Sequence, residues 1–351
     1  MSTETDRREL VQKLFPEGIP KLWSPPLAHY TDSLELDKKH TRSHLLFMAP
    51  YVKTHLIPGS TGDGWELSQK EIDGLLEFII TETRDLGIHL LIGVLRPDAG
   101  KAREDIEKTV RFLMDITGSG DPEKALRSSG VCGFTVCAPK GRDIPQELIY
   151  EKLGSILDLG YPTALYQLPQ ITENEIAPET FEKLAGKYGN FYLFKDTSGR
   201  DQVALSKAER EGVFLVRGGE GDYRKWYKGS SGGLYDGFLL GSANCFAARY
   251  TAMLRDIDSG RHEAAGIISD QITRIVSKAM EEAGKLSFGN AFANANKGID
   301  HFSAYGPGAD QVSAPMTHSG NRLPPDFIRY IKELLIKEGA LPEKGYLETA
   351  G

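Results

Sequence analysis

The sequence predicts a (β/α)8 TIM barrel followed by a C-terminal helical extension. From about residue 20 to 260, short apolar runs alternate with longer amphipathic stretches. The short runs are apolar on consecutive residues, the pattern of parallel strands covered on both faces. Eight such runs occur, and closing eight βα units gives the barrel, typically about 250 residues long. No G-x-G-x-x-G turn follows any of them, which disfavours an open doubly wound sheet.

The runs begin with "KLWSPP" (Lys21 to Pro26) and "HLIPGS" (His55 to Ser60). A helix follows in which Leu75, Leu76, Ile79 and Ile80 fall at helical spacing, with Ser68 and Glu71 as a capping box and Gly87 at its end. "HLLIGVL" precedes a charged helical stretch from Lys101 to Thr117, and "VCGFTVCAP" precedes "IPQELIYEKLGSILDLG". "TALYQLP" leads to "APETFEKLAGKYG", "FYLFKD" to "RDQVALSKAERE", and "VFLVRGGEG" to a short helix around Tyr223 to Lys228. "GGLYDGFLLGSAN" supplies the eighth run, with a helical pattern from about Phe246. The barrel is accordingly placed at residues 18–261 and the helical region at 262–351. In that region "HEAAGIISDQITRIVSKAMEEAG" and "PDFIRYIKELLIKEG" read as helices, with an irregular Gly/Pro/Ser-rich stretch between.

Composition narrows the function. A formal charge of −7 and a pI near 5.7 argue against a nucleic-acid binder. No run of about 18 apolar residues is present, so no membrane span is expected. The polar start "MSTETDRREL" is unlike a signal peptide, and a cytoplasmic location is expected. Cys132, Cys137 and Cys245 form no zinc-type C-x-x-C and read as small core residues.

In a barrel the chemistry gathers at the C-terminal ends of the strands. The second run ends in "PGSTGDG", where Gly59 and Gly62 flank Ser60 and Thr61 so that amides and hydroxyls can converge on a small anion. The fifth carries Tyr166 near its tip, and the sixth ends at Lys195. A solvated lysine has a pKa of about 10.4, so only about 0.04% is neutral amine at pH 7. Desolvation in an apolar interior raises that fraction, a physical reason to place "FYLF" before a nucleophilic lysine. A 2-oxo acid would set its carboxylate on Ser60 and Thr61 and its ketone against the Lys195 amine. The resulting iminium withdraws electrons and permits C3–C4 cleavage, C3–H removal or loss of water, with Tyr166 moving the proton. Thr197 and Ser242 could hydrogen-bond a hydroxylated tail. The histidines are scattered; His40 and His44 are spaced i, i+4 on an early helix. Neither a metal nor another cofactor is expected, because the iminium performs the electron withdrawal a metal would supply.

These residues resemble the dihydrodipicolinate synthase/N-acetylneuraminate lyase family of Schiff-base class I aldolases. "GSTGDGWELSQKE" is similar to its "G-[TS]-T-G-E-x-x-x-L-[ST]" signature, "YLFKDTSGR" to "K-D-[ST]-[SA]-G", "ALYQLP" to "Y-N-x-P", and "GLYDGFLLGSAN" to its strand-eight segment. The resemblance implies a barrel with a helical C-terminal region, usually a homotetramer. It also implies a Schiff base on Lys195, a proton-relay phenol at Tyr166 and a carboxylate site at Ser60 and Thr61. Glu220 and Asp222 stand where the lyase branch contacts substrate hydroxyls.

Two departures weigh against the lysine-biosynthetic synthase. Its "TPYYN" is replaced by "CAPKGRD", with Lys140 and Gly141 near the missing tyrosine, and the arginine five residues after the "Y-N-x-P" tyrosine is Ile171. Lys140 and Arg142 add positive charge that could meet a second carboxylate or a polyol-acid tail. The expected activity is cleavage or formation of a C–C bond between a 2-oxo acid, with pyruvate as keto component, and an aldehyde. Dehydration of a keto-deoxy sugar acid through the same imine is the second reading, and a non-catalytic binding or regulatory barrel the third.

Overall fold

The computed structural model describes residues 3–347. Eight strands, β1 (Leu22–Trp23), β2 (Thr54–Ile57), β3 (His89–Val94), β4 (Val131–Cys137), β5 (Thr163–Gln167), β6 (Phe191–Asp196), β7 (Phe214–Arg217) and β8 (Gly237–Leu239), follow the order β1-β8-β7-β6-β5-β4-β3-β2. With helices around them they form the expected, nearly closed (β/α)8 barrel, followed by the C-terminal helices. Among the described residues, no helix is long and apolar enough to cross a membrane.

The described residues fall into two compact units: residues 3–23, 89–219 and 226–239, and residues 24–88, 220–225 and 240–347. The first holds seven strands, all paired in parallel. Cys137, Tyr166, Lys195 and Val216 are register partners across β4 to β7, so their side chains stand in one row on one face. The first helix, Thr3–Leu14, was not foreseen. Its Arg7 is buried and donates to the carbonyls of Phe191, Ala185, Tyr188 and Glu211, satisfying backbone acceptors around the start of β6. Cys132 and Cys137 are buried, and burial pushes both thiols up to about 12; Cys245 is half-buried.

The second unit contains β2, joined through a parallel bridge between Ser24 and His55. Its helix Gln69–Glu82 starts with the expected capping box: Ser68 accepts from the Glu71 amide, and Glu71 accepts from the Ser68 amide. Gly87 does not end this helix. It follows a separate 3-10 turn, Arg84–Leu86, at φ 58°.

Two further expectations are corrected. The run after β6 is helical only over Gln202–Leu205, because Ser206 turns extended and its hydroxyl accepts from the Ala208 amide, offering the backbone a competing partner. The stretch expected to be irregular contains the helix Ala291–Tyr305, capped by the Asn290 side chain. Asn294, Asn296, Lys297, Asp300 and His301 are all buried in it, interleaved with Phe292, Ala295, Ile299 and Phe302 at helical spacing.

Candidate active site

Every residue of β6 is buried, including Lys195 at 4% exposure. Its Nζ lies 4.0 Å from the centroid of the Tyr166 ring on the neighbouring strand. Among the described residues this Nζ makes no ion pair or hydrogen bond. A buried cationic side chain left without a carboxylate is rare unless its nitrogen has chemistry to do. Gly218 closes over it: a Cβ there would stand 2.8 Å from Lys195 Cε and 2.2 Å from Thr197 Oγ1. Among the described residues, the Thr197 hydroxyl and Gln167 Nε2 are buried without a partner.

Asp196 anchors the turn that follows. It accepts from the Ser198 amide at 2.8 Å and from the Tyr235 hydroxyl at 3.3 Å, while burial raises its carboxyl above the usual range. Tyr235 also donates to Asp201 at 2.6 Å, and Asp201 accepts a two-pronged contact from Arg217 at 3.0 and 3.2 Å. The "KDTSG" residues after the lysine thus secure its strand end. Lys140 is exposed and pairs with Glu173 at 3.4 Å, and Arg142 is exposed.

In the second unit, Ser60–Gly62 form a 3-10 turn whose neighbours require glycine. A Cβ at Gly59 would meet Pro25 Cβ at 2.5 Å, and one at Gly62 would meet the Pro26 carbonyl at 2.4 Å. Among the described residues, the amides of Ser60 and Thr61 and the Thr61 hydroxyl have no partner, whereas Ser60 Oγ accepts from Trp65 Nε1 at 2.9 Å. Asp63 does not face this anion nest. It accepts from Lys297 Nζ and the Tyr30 hydroxyl, each at 3.0 Å, in a buried cluster.

Gly241 brings further groups to Thr61. Its Cβ position is 2.9 Å from Thr61 Oγ1, 3.2 Å from Asn296 Nδ2 and 3.6 Å from Glu220 Oε1. Glu220 accepts from the Ser242 amide at 3.0 Å, the Ser242 hydroxyl at 2.6 Å and the Tyr223 hydroxyl at 2.8 Å. Glu220 and Ser242, picked out separately, therefore form one hydrogen-bonded pair. Asp222 is exposed, with its amide donating to Thr273 Oγ1.

Sequence reasoning missed Asn296 and Lys297, and it missed the meeting of His29, His44 and Asp300. The His40/His44 spacing was the one visible signal of that last cluster.

The profile of the Dihydrodipicolinate synthetase family matches residues 121–293, which include Tyr166, Lys195, Glu220 and Ser242. The chain is 25% identical over 223 residues to the 4-hydroxy-tetrahydrodipicolinate synthase of Prosthecochloris aestuarii, covering 63% of this chain and 68% of that enzyme. Other curated relatives match over about half their length. Among solved structures it is similar to YagE, a prophage protein of E. coli K12 in complex with pyruvate, at TM-score 0.68 and 18% identity, covering 91% of this chain and 98% of YagE. It is also similar to a 2-keto-3-deoxygluconate aldolase variant of Sulfolobus solfataricus in complex with L-2-keto, 3-deoxy-galactonate, at TM-score 0.68 and 14% identity, covering 92% and 97%. Over residues 121–293, just under half of its length, this chain is similar to the Dihydrodipicolinate synthetase family.

Proposed function

We propose that the chain is an aldolase-type lyase that binds a 2-oxo acid as an imine on Lys195, with pyruvate as the keto component. The observation that carries this reading is the buried Lys195 amine over the Tyr166 ring, without a counter-charge among the described residues. The Lys195 nitrogen adds to the C2 ketone, a carbinolamine loses water, and the iminium takes up the electron pair of the C3–C4 bond. As the aldehyde leaves, Tyr166 takes the C4 hydroxyl proton and passes its own on to C3 of the enamine, and water then releases pyruvate. The unpaired amides of Ser60 and Thr61 suit the substrate carboxylate. Thr197, Ser242 and Glu220 are candidates for the hydroxylated tail, with Asp222, Lys140 and Arg142 further from any supporting contact.

Pyruvate and a keto-deoxy sugar acid, named for two solved neighbours, fit this chemistry. Lys140–Gly141 and Ile171, at the positions that set the synthase apart, weigh against aspartate semialdehyde as partner, as do identities of 24–26%. The same imine supports dehydration, so product analysis decides between them. A panel of 2-keto-3-deoxy acids is incubated with the enzyme and scored for pyruvate by coupled reduction, with Lys195→Ala as control. Pyruvate release supports cleavage, and a retained carbon count with water loss supports dehydration. Binding without turnover across the panel would favour a non-catalytic barrel. A cytoplasmic homotetramer goes with this reading by family resemblance and is checked by fractionation and light scattering.

A further inference from the structure

We propose that His29, His44 and Asp300 form a binding site for a divalent first-row transition ion of the zinc class, separate from the imine chemistry. One donor atom from each lies within 4.8 Å of the others, and all three residues are buried. His29 stands between β1 and the helix Lys38–Met48, His44 on that helix, and Asp300 on the helix Ala291–Tyr305. An ion here would tie three chain segments of the second unit together.

The two imidazoles of the set face each other through ring nitrogens, and Asp300 Oδ1 approaches His44 at Nε2, 3.5 Å away. His44 Nε2 lies 3.0 Å from the Asn244 carbonyl; donating its proton there leaves a lone pair on Nδ1. That Nδ1 is 3.0 Å from His29 Nε2, a separation that two nitrogens at roughly 2.1 Å from one ion reach at an angle of about 90°. Asp300 Oδ2 is 3.9 Å from His29 Nε2. The carboxylate is itself held: the Tyr346 hydroxyl donates to Asp300 at 3.1 and 3.3 Å and lies 2.9 Å from His40 Nε2. Metal-bound carboxylates and imidazoles are characteristically braced by such outer contacts.

Charge points the same way. Asp300 is 1% exposed, and among the described residues its only ion-pair partners are the imidazoles of His29, His40 and His44. His29 stacks on His40 with ring centroids 3.7 Å apart. A divalent ion compensates the Asp300 carboxylate and takes the lone pairs of the uncharged His29 and His44 imidazoles. The Asn244 contact extends the effect. Its side chain accepts from the Leu27 amide and donates to the carbonyls of Pro25 and Gly241, and Pro25 is the residue against which Gly59 packs. The ion is therefore structural, bracing the backbone beside the Ser60 turn.

The test uses the full chain, stripped by dialysis against a chelator and titrated with Co2+ and then Zn2+. The expected result is one Co2+ per chain with visible d–d absorption, displaced by Zn2+. Tyr346→Phe should bind on the order of 10–100-fold more weakly. His44→Ala and Asp300→Asn, checked for folding by circular dichroism, should lose the band. Absence of uptake by the unaltered chain would mean that a hydrogen bond from His29 to His44 completes the cluster, and the proposal fails. It fails equally if folded His44→Ala or Asp300→Asn binds as tightly as the original. Should those two variants unfold, Tyr346→Phe decides: unchanged affinity overturns the assignment.

Discussion

Replacing Gly218 by alanine presses a methyl group onto the candidate nucleophile. The added carbon would stand 2.8 Å from Lys195 Cε, whereas unstrained carbon contacts lie at about 3.5–4.0 Å, so relief requires a movement of roughly 1 Å. Thr197 Oγ1, at 2.2 Å, blocks the other side and must also give way. A misplacement of about 1 Å at a reacting group costs on the order of 100-fold in rate, equivalent to about 2.7 kcal/mol of barrier. Overpacking the site should also lower stability by about 1–3 kcal/mol. The assay is the single-turnover rate of imine formation with pyruvate, trapped by reductant, alongside a thermal melt. A folded Gly218→Ala enzyme that forms the imine within about threefold of the wild-type rate would refute the reasoning.

Two further outcomes are expected. Lys297→Met strands the buried Asp63 carboxylate and should lower unfolding free energy in a urea titration by about 3–5 kcal/mol; adding Asp63→Asn should recover much of that loss. A loss below about 1 kcal/mol for the single variant would contradict the pairing. Cys132, raised from 9.0 to about 12 by burial, keeps its proton in the folded chain after the unfolded chain has lost it. Stability should therefore fall from pH 9 towards 12, by about 1.4 kcal/mol per pH unit from this thiol, and Cys132→Ala should flatten the slope by that amount; an unchanged slope would count against the assignment.

The barrel was legible because its strands are buried on both faces and read as unbroken apolar runs; "FYLFKD" matches β6 residue for residue. The helix Ala291–Tyr305 was illegible for the opposite reason. It is buried without a break from Ala293 to Ala304, so Asn, Lys, Asp and His with partners elsewhere in the chain mask the apolar period of Phe292, Ala295, Ile299 and Phe302. Long separation hid the polar clusters as well: Lys297 meets Asp63 across 234 positions, and His40 meets Tyr346 across 306. Lys195 and Tyr166 were readable because each lies next to last in an apolar strand and the two strands are consecutive, which makes them neighbours in a parallel barrel. Thr197 and Ser242 were found as hydroxyls near strand ends. That Ser242 binds Glu220 follows from the turn at Gly241, which no local pattern announces.

The central claim is that the Lys195 nitrogen condenses with a ketone. Borohydride reduction of the enzyme in the presence of pyruvate, followed by peptide mass analysis, tests it most directly. The account predicts a reduced pyruvyl adduct on the peptide carrying Lys195 and none in Lys195→Ala. An unmodified Lys195 peptide from folded wild-type enzyme, or an adduct that persists on another lysine in the variant, would contradict it.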